Sequence, residues 1–267
     1  MSNLITYCVS NIPNLNLEKL NLTLVGVGEE KFPDNYITCK KGINIQEKEK
    51  HYSELTFHYW FWKNKLDKLN DDTWIGFCQK RRFWIKDTNF KIKTLDDLNK
   101  NILREVPSEY EKYDALICNP IKVSPAKSTK LLKRGWRNLI KDPSLIFNPN
   151  KHTIKLQFDM FHGFGNLDKA MNILKTDQRN FFKDFINNNT EFNPHIMVIA
   201  KKQILNKWFQ DLFEWLFECE KIFGFNKLNG YDTGRLYAYL SERYLSFWFN
   251  RFCKSKSLPW VFFDTTI

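Results

Sequence analysis

The sequence has no C-x-x-C pair, no Cys/His cluster at zinc spacing, and no run approaching the ~20 apolar residues that span a bilayer. Its six cysteines, Cys8, Cys39, Cys78, Cys118, Cys219 and Cys253, are therefore expected as reduced thiols. Cys8, Cys78 and Cys118 sit inside apolar strand-like runs, where the thiol acts as a small hydrophobe. Residues 1–13 lack a basic stretch followed by a long apolar one, so no export signal is read and a cytoplasmic location is expected. Glycine is scarce, 10 in 267 residues, and no heptad pattern is sustained, which excludes collagen-like and coiled-coil classes. No Gly/Ser-rich linker and no internal repeat divides the chain, so one domain over 1–267 is expected. The motifs G-x-x-x-x-G-K-[ST], H-E-x-x-H and G-x-S-x-G are missing. Gly163 and Gly165 form a lone G-x-G that follows no clear strand, which excludes NAD binding.

The residues that are present describe a globular protein. Hydrophobic residues make up 43% and aromatic ones 16%, enough buried area to exclude intrinsic disorder. The formal net charge of +11 attracts polyanions. The lysines are scattered, and neither an RNP sequence nor a helix-turn-helix is found, so nucleic acid is not an expected partner. Peripheral contact with an anionic membrane fits the charge better.

Short β-branched and apolar runs predict strands at 4–9, 22–27, 73–78, 113–118, 196–200 and 260–263. Apolar periodicity predicts helices at 54–66 with Ser53 as cap, near 131–139 within a basic 124–151 segment, and at 166–174, 179–186, 203–223 and 235–249. Residues 28–44 read as irregular. Strands and helices alternate, which predicts an α/β fold with a central, mostly parallel sheet flanked by helices. In such sheets ligands bind beyond the carboxyl ends of the strands, so residues just after each strand are the first candidates.

Gln79-Lys80-Arg81-Arg82 follows the strand TWIGFC directly. Guanidinium forks and an ammonium there suit a diphosphate; the other reading is a basic loop with an Arg paired to Glu54 or Asp87. Arg235, Tyr239, Glu242 and Arg243 share one helical face by spacing. Glu242 there is either a general base or half of an ion pair that docks the helix. Asn193 and His195 precede the strand IMVIA; they bind a sugar hydroxyl, or form a turn before a core histidine. His162 and Asp168 flank the G-x-G. Asp71-Asp72 precedes its strand, so no Asp-x-Asp lies at a strand's carboxyl end, and cations rather than a metal are read as the phosphate ligands.

Three segments carry a resemblance: Ser53-Glu54-Leu55-Thr56, Tyr59-Trp60-Phe61-Trp62-Lys63-Asn64, and Trp74 through Phe83 with its Arg81-Arg82 pair. They resemble a bacterial glycosyltransferase family of capsular and O-antigen polysaccharide loci, formerly labelled a domain of unknown function (DUF4422-like). Further along, Asn193 with Ile196-Met197, Trp215-Leu216-Phe217, Arg235 with Leu240-Ser241-Glu242-Arg243, and His162 with Leu167-Asp168 fit the same pattern. The likeness runs in order over residues 44–249. Gln79-Lys80 stands where the family usually has His-Tyr, and Pro194-His195 where it has Met-Phe.

The resemblance implies a GT-A-like, Rossmann-like nucleotide-sugar fold. It implies transfer of a sugar from a nucleotide-diphosphate donor, expected to be UDP-linked, to a capsular polysaccharide, O-antigen or lipid-linked glycan acceptor. Glu242 and Asp168 are the expected catalytic residues. Gln79, Lys80, Arg81, Arg82, Asn193, His195, Arg235, Tyr239, Arg243, Glu54, Asn44 and His162 are the expected substrate-binding set. No cofactor and no metal ligand are assigned, with Mn2+ or Mg2+ left open. The competing readings are a non-catalytic polyanion-binding module and a phosphotransferase acting on a surface glycan.

Overall fold

The computed structural model describes residues 2–123 and 128–266. Residues 124–127, the start of the basic 124–151 segment, lie outside the described residues. In chain order the strands are β1 Ser2–Ser10, β2 Thr23–Gly26, β3 Ile37–Thr38, β4 Trp74–Gln79, β5 Arg82–Trp84, β6 Glu105–Val106, β7 Ala115–Cys118, β8 Ile121–Lys122, β9 Glu191–Phe192, β10 Val198–Lys201, β11 Ser255–Leu258 and β12 Trp260–Phe262.

The described chain divides into two compact units. The first takes the described residues within Met1–Asn119, His195–Asp211 and Trp248–Ile267. Its sheet runs β11-β7-β10-β4-β1-β2-β3, with β6 beside β1 and the β5–β12 pair beyond β4. Of the seven strands on the main path, β10 alone runs against the others. Runs such as YCV and WIGFC are apolar on both faces because helices cover both sides of a parallel sheet. On one face Tyr7 and Phe77 pack against Phe57 and Phe61 of the Leu55–Asn64 helix and, for Phe77, against Phe209. On the other, Leu4, Cys8, Trp74, Cys78 and Leu116 pack with Leu98 and Ile102. All six cysteines are free. Gly76 of β4 sits in a tight place: a Cβ there would lie 3.1 Å from Ile199 Cγ1 and 3.2 Å from Thr6 Oγ1, so those side chains would have to shift by a few tenths of an ångström.

The second unit takes Pro120–Pro194 and Leu212–Phe247, less the residues not described. It is mainly helical, with the short antiparallel β8–β9 ribbon. Its helices include Ser128–Arg134, Trp136–Lys141, Ile154–His162, Asn166–Met171 and Thr176–Asn188. Leu131, Leu145, Leu156 and Met160 form one buried cluster. Phe182, Trp215, Tyr244 and Phe247 form an aromatic one.

Ser53 does not cap its helix, contrary to expectation. Its backbone sits at φ 52°, ψ −130°, between the Glu49–Tyr52 turn of helix and the helix Leu55–Asn64, and its side chain makes no capping bond. Such a left-handed φ in a residue with a Cβ is strained. Thr56 holds the corner by donating both its N–H (3.1 Å) and its hydroxyl (2.8 Å) to the Ser53 carbonyl. The single helix expected near 131–139 is two, broken at Gly135.

Phe77 is buried among Tyr7, Phe57, Phe61, His58 and Phe209. Truncating it leaves a large void, so Phe77→Ala lowers the unfolding free energy by about 3–5 kcal/mol in urea titration, whereas a loss below ~1 kcal/mol contradicts this packing.

Candidate active site

The carboxyl ends of β1, β2 and β4 lie along one edge of the first unit's sheet. Antiparallel β10 brings its amino end, preceded by His195, to that same edge. At the end of β4 the chain reverses within two residues: Gln79 pairs with Arg82, and Lys80 and Arg81 form the turn. Three hydrogen bonds to its main chain clamp this turn. Lys80 N–H donates to the Val9 carbonyl (3.0 Å), the Thr265 hydroxyl donates to the Lys80 carbonyl (2.8 Å), and Phe263 N–H donates to the Arg81 carbonyl (3.0 Å).

Each cation at the turn is tethered by its side chain. Lys80 Nζ donates to Asn11 Oδ1 (2.6 Å). Arg81 Nε donates to Asp264 Oδ1 (3.1 Å) and Nη2 to the Thr266 hydroxyl (3.3 Å). Arg82 Nη1 donates to Gln79 Oε1 (2.9 Å), and Gln79 in turn donates through Nε2 to Glu54. The Ser53 corner therefore aims Glu54 at Gln79, which orients Arg82. Arg81 pairs with Asp264, not with Glu54 or Asp87, the partners that the basic-loop reading offered for an Arg here. Hydrogen bonds from Thr266, reinforced by Arg81, hold the Asp264 carboxyl below its ordinary range. Asn44 closes a local turn: its Oδ1 accepts from Gln46 N–H (3.1 Å) and its Nδ2 donates to the Gly42 carbonyl (2.8 Å). Gln46 Nε2 then donates to the carbonyl of Gly28, just past β2 (2.6 Å). His195, at φ 65°, sets its ring edge-on to Trp260 at 4.6 Å.

A second cluster belongs to the second unit. Arg243 is 3% exposed, with Nη1 donating to Glu242 Oε2 (2.6 Å) and Nη2 to Gln157 Oε1 (2.9 Å), and its guanidinium lies 4.4 Å from the Phe192 ring centre. Burial weakens the hold of Arg243 on its proton, and Glu242 opposes that effect. The His162 ring stacks on Tyr239 at 3.8 Å, and its Nδ1 bonds the Asp232 carbonyl (3.0 Å), which fixes the proton on Nδ1. Burial, with help from Arg243, pushes His162 down to about 3, so the imidazole is neutral at pH 7. Burial also raises the Tyr239 phenol. Asp168 is half exposed and shares Lys155 with buried Asp159. Asn193 is buried, and the Ser246 hydroxyl joins its N–H (2.6 Å) and Oδ1 (3.1 Å). Arg235 lies just before the helix Leu236–Phe252 and is exposed.

The first unit thus gathers Gln79, Lys80, Arg81, Arg82, Glu54 and His195 at one sheet edge, with Asn44 reaching it through Gln46. The second gathers His162, Tyr239, Glu242 and Arg243. Sequence reasoning misses Asn11, Gln46, Asp264 and Thr266, although Asn11 follows a strand and could have been found by that rule. Among the described residues no group of three or more His, Cys, Asp or Glu side chains is placed to hold a metal. At the β4 edge the carboxylates of Glu54 and Asp264 are engaged by Gln79 and Arg81.

The strand order, with one reversed strand among parallel neighbours and helices on both faces, is a mixed α/β fold with a mostly parallel central sheet, consistent with the GT-A-like class. The chain belongs to the family described as "Domain of unknown function (DUF4422)", which it matches over residues 11–254. Among solved structures it resembles the apo form of WbbM, a bifunctional glycosyltransferase, at 18% identity and a TM-score of 0.69. That match covers 98% of this chain and 45% of the WbbM chain, so this chain spans under half of that protein's length. No curated protein matches it.

His162 must gain a proton on unfolding anywhere between its folded value of about 3 and its unfolded value near 6.5. The unfolded state therefore binds more protons in that window, and stability falls as pH drops through it. Urea midpoints measured from pH 7 to pH 4 should decline less steeply for His162→Gln than for the parent; equal slopes would count against a buried neutral imidazole.

Proposed function

We propose that this protein is a glycosyltransferase that moves a sugar from a UDP-linked donor to a capsular polysaccharide or O-antigen glycan. The observation that carries this reading is the clamped Lys80-Arg81 turn, with Arg82 beside it, at the carboxyl edge of β4. When the glycosidic bond to the donor breaks, negative charge builds on the departing diphosphate. Cations already fixed in place by Asn11, Asp264 and the Gln79–Glu54 relay stabilise that charge without reorganising. Arg81 uses Nε and Nη2 for its tethers and keeps further N–H donors for phosphate.

Glu242 is assigned the acceptor's proton. Arg243 Nη1 donates to Glu242 Oε2 (2.6 Å), and the Glu242 side chain is 20% exposed. Family membership and the fold likeness support transferase chemistry in general; the UDP donor and the acceptor class are part of this proposal.

Titration with UDP should raise the melting temperature, and Arg81→Ala should abolish that rise while cutting transfer about 100-fold or more. Arg81→Ala with normal transfer and normal UDP stabilisation would refute the diphosphate role. Glu242→Gln should lose transfer by about 100-fold or more with UDP affinity unchanged; retention of transfer across the pH range would remove Glu242 as the base.

A further inference from the structure

The segment from Ser128 to Lys151 in the second unit carries two apolar stripes. One faces inward: Leu131, Leu139 and Leu145 pack with Leu156 and Met160. A surface helix of a globular unit needs only that stripe. The other faces out. Leu132 is 56% exposed, Trp136 50%, Ile140 73% and Phe147 85%. Leu132, Trp136 and Ile140 are each four residues apart.

Cations surround this second stripe. Over 128–151 the sequence has Lys130, Lys133, Arg134, Arg137, Lys141 and Lys151 against one acid, Asp142. Asp142 is held by Lys151, and Arg134 pairs with Asp232. Lys133, Arg137 and Lys141 have no carboxylate partner among the described residues. Outward Leu, Trp, Ile and Phe side chains among Lys and Arg form the composition that seats a helix at a lipid–water boundary. A protein partner of ordinary composition would not require so lopsided a charge.

The geometry points to this face as a docking surface for an anionic phospholipid bilayer, with Trp136, Ile140 and Phe147 entering the acyl boundary and Lys133, Arg137 and Lys141 meeting the headgroup phosphates. The inference goes beyond the transfer reaction and does not depend on it, because the assay below contains no sugar donor.

The full chain is sedimented with phosphatidylcholine vesicles and with vesicles half phosphatidylglycerol. The parent should bind the anionic vesicles strongly and the neutral ones weakly, with binding that falls as salt rises. Trp136→Ser/Ile140→Ser should weaken binding about tenfold or more. Each cation near an anionic surface is worth a factor of about five, so Lys133→Gln/Arg137→Gln/Lys141→Gln should cost about 100-fold. Phe147→Asp, at a side chain outside every core cluster, repeats the test with least risk to folding. Failure of the parent to sediment with anionic vesicles overturns the proposal. So does equal binding by parent and variants, or capture by single-stranded RNA in place of vesicles.

Discussion

The two-residue reversal between β4 and β5 fixes where the first unit holds Lys80, Arg81 and Arg82. A parallel strand delivers its next residues to the sheet edge, and here those residues are Lys80 and Arg81. Left as an open loop, like charges side by side would spread into solvent. The turn is instead held by backbone bonds to Val9 on one side and Phe263 on the other, and by the Thr265 hydroxyl. The closing residues of the described chain are pinned in their turn: Asn14 and Asn16 donate side-chain N–H groups to Thr265. Cations that would repel one another are thus fixed in a small region, which is the arrangement a polyanion rewards.

Antiparallel β10 has the second organising role. An all-parallel sheet would send the residues before that strand to the far edge. Reversal brings His195 to the edge where β1 and β4 end. In the second unit the balance of forces differs. Arg243 is buried at a desolvation cost and is compensated by Glu242, Gln157 and the Phe192 ring. Around it, His162 and Tyr239 are stacked and kept neutral by burial. Both clusters consist of polar groups whose orientation is fixed before any ligand arrives.

The central strands are legible in the sequence because β1, β4, β7 and β10 are short continuous apolar runs buried on both faces. Strands β5 and β11 are hidden: Arg82–Trp84 is only three residues long, and Ser255–Leu258 reads SKSL, polar at an edge of the sheet. The helix Leu95–Asn101 escapes the periodicity reading although Thr94 and Asp97 form a capping box. Ser53 misleads because a capping residue type occupies a strained corner whose bonds are made by Thr56. Lys80, Arg81 and Arg82 are legible from their place after a strand. Their tethers are not, since Asp264 is 183 residues from Arg81 and no local pattern encodes that distance. Glu54, which the basic-loop reading paired with an Arg directly, reaches Arg82 through Gln79.

Whether the turn after β4 grips the diphosphate of an activated sugar is tested most directly by a crystal structure of the protein with UDP. Phosphate oxygens are expected within about 3 Å of nitrogen atoms from at least two of Lys80, Arg81 and Arg82. UDP bound with its phosphates away from the carboxyl edge of β4, and those three side chains unchanged on their tethers, would contradict that grip.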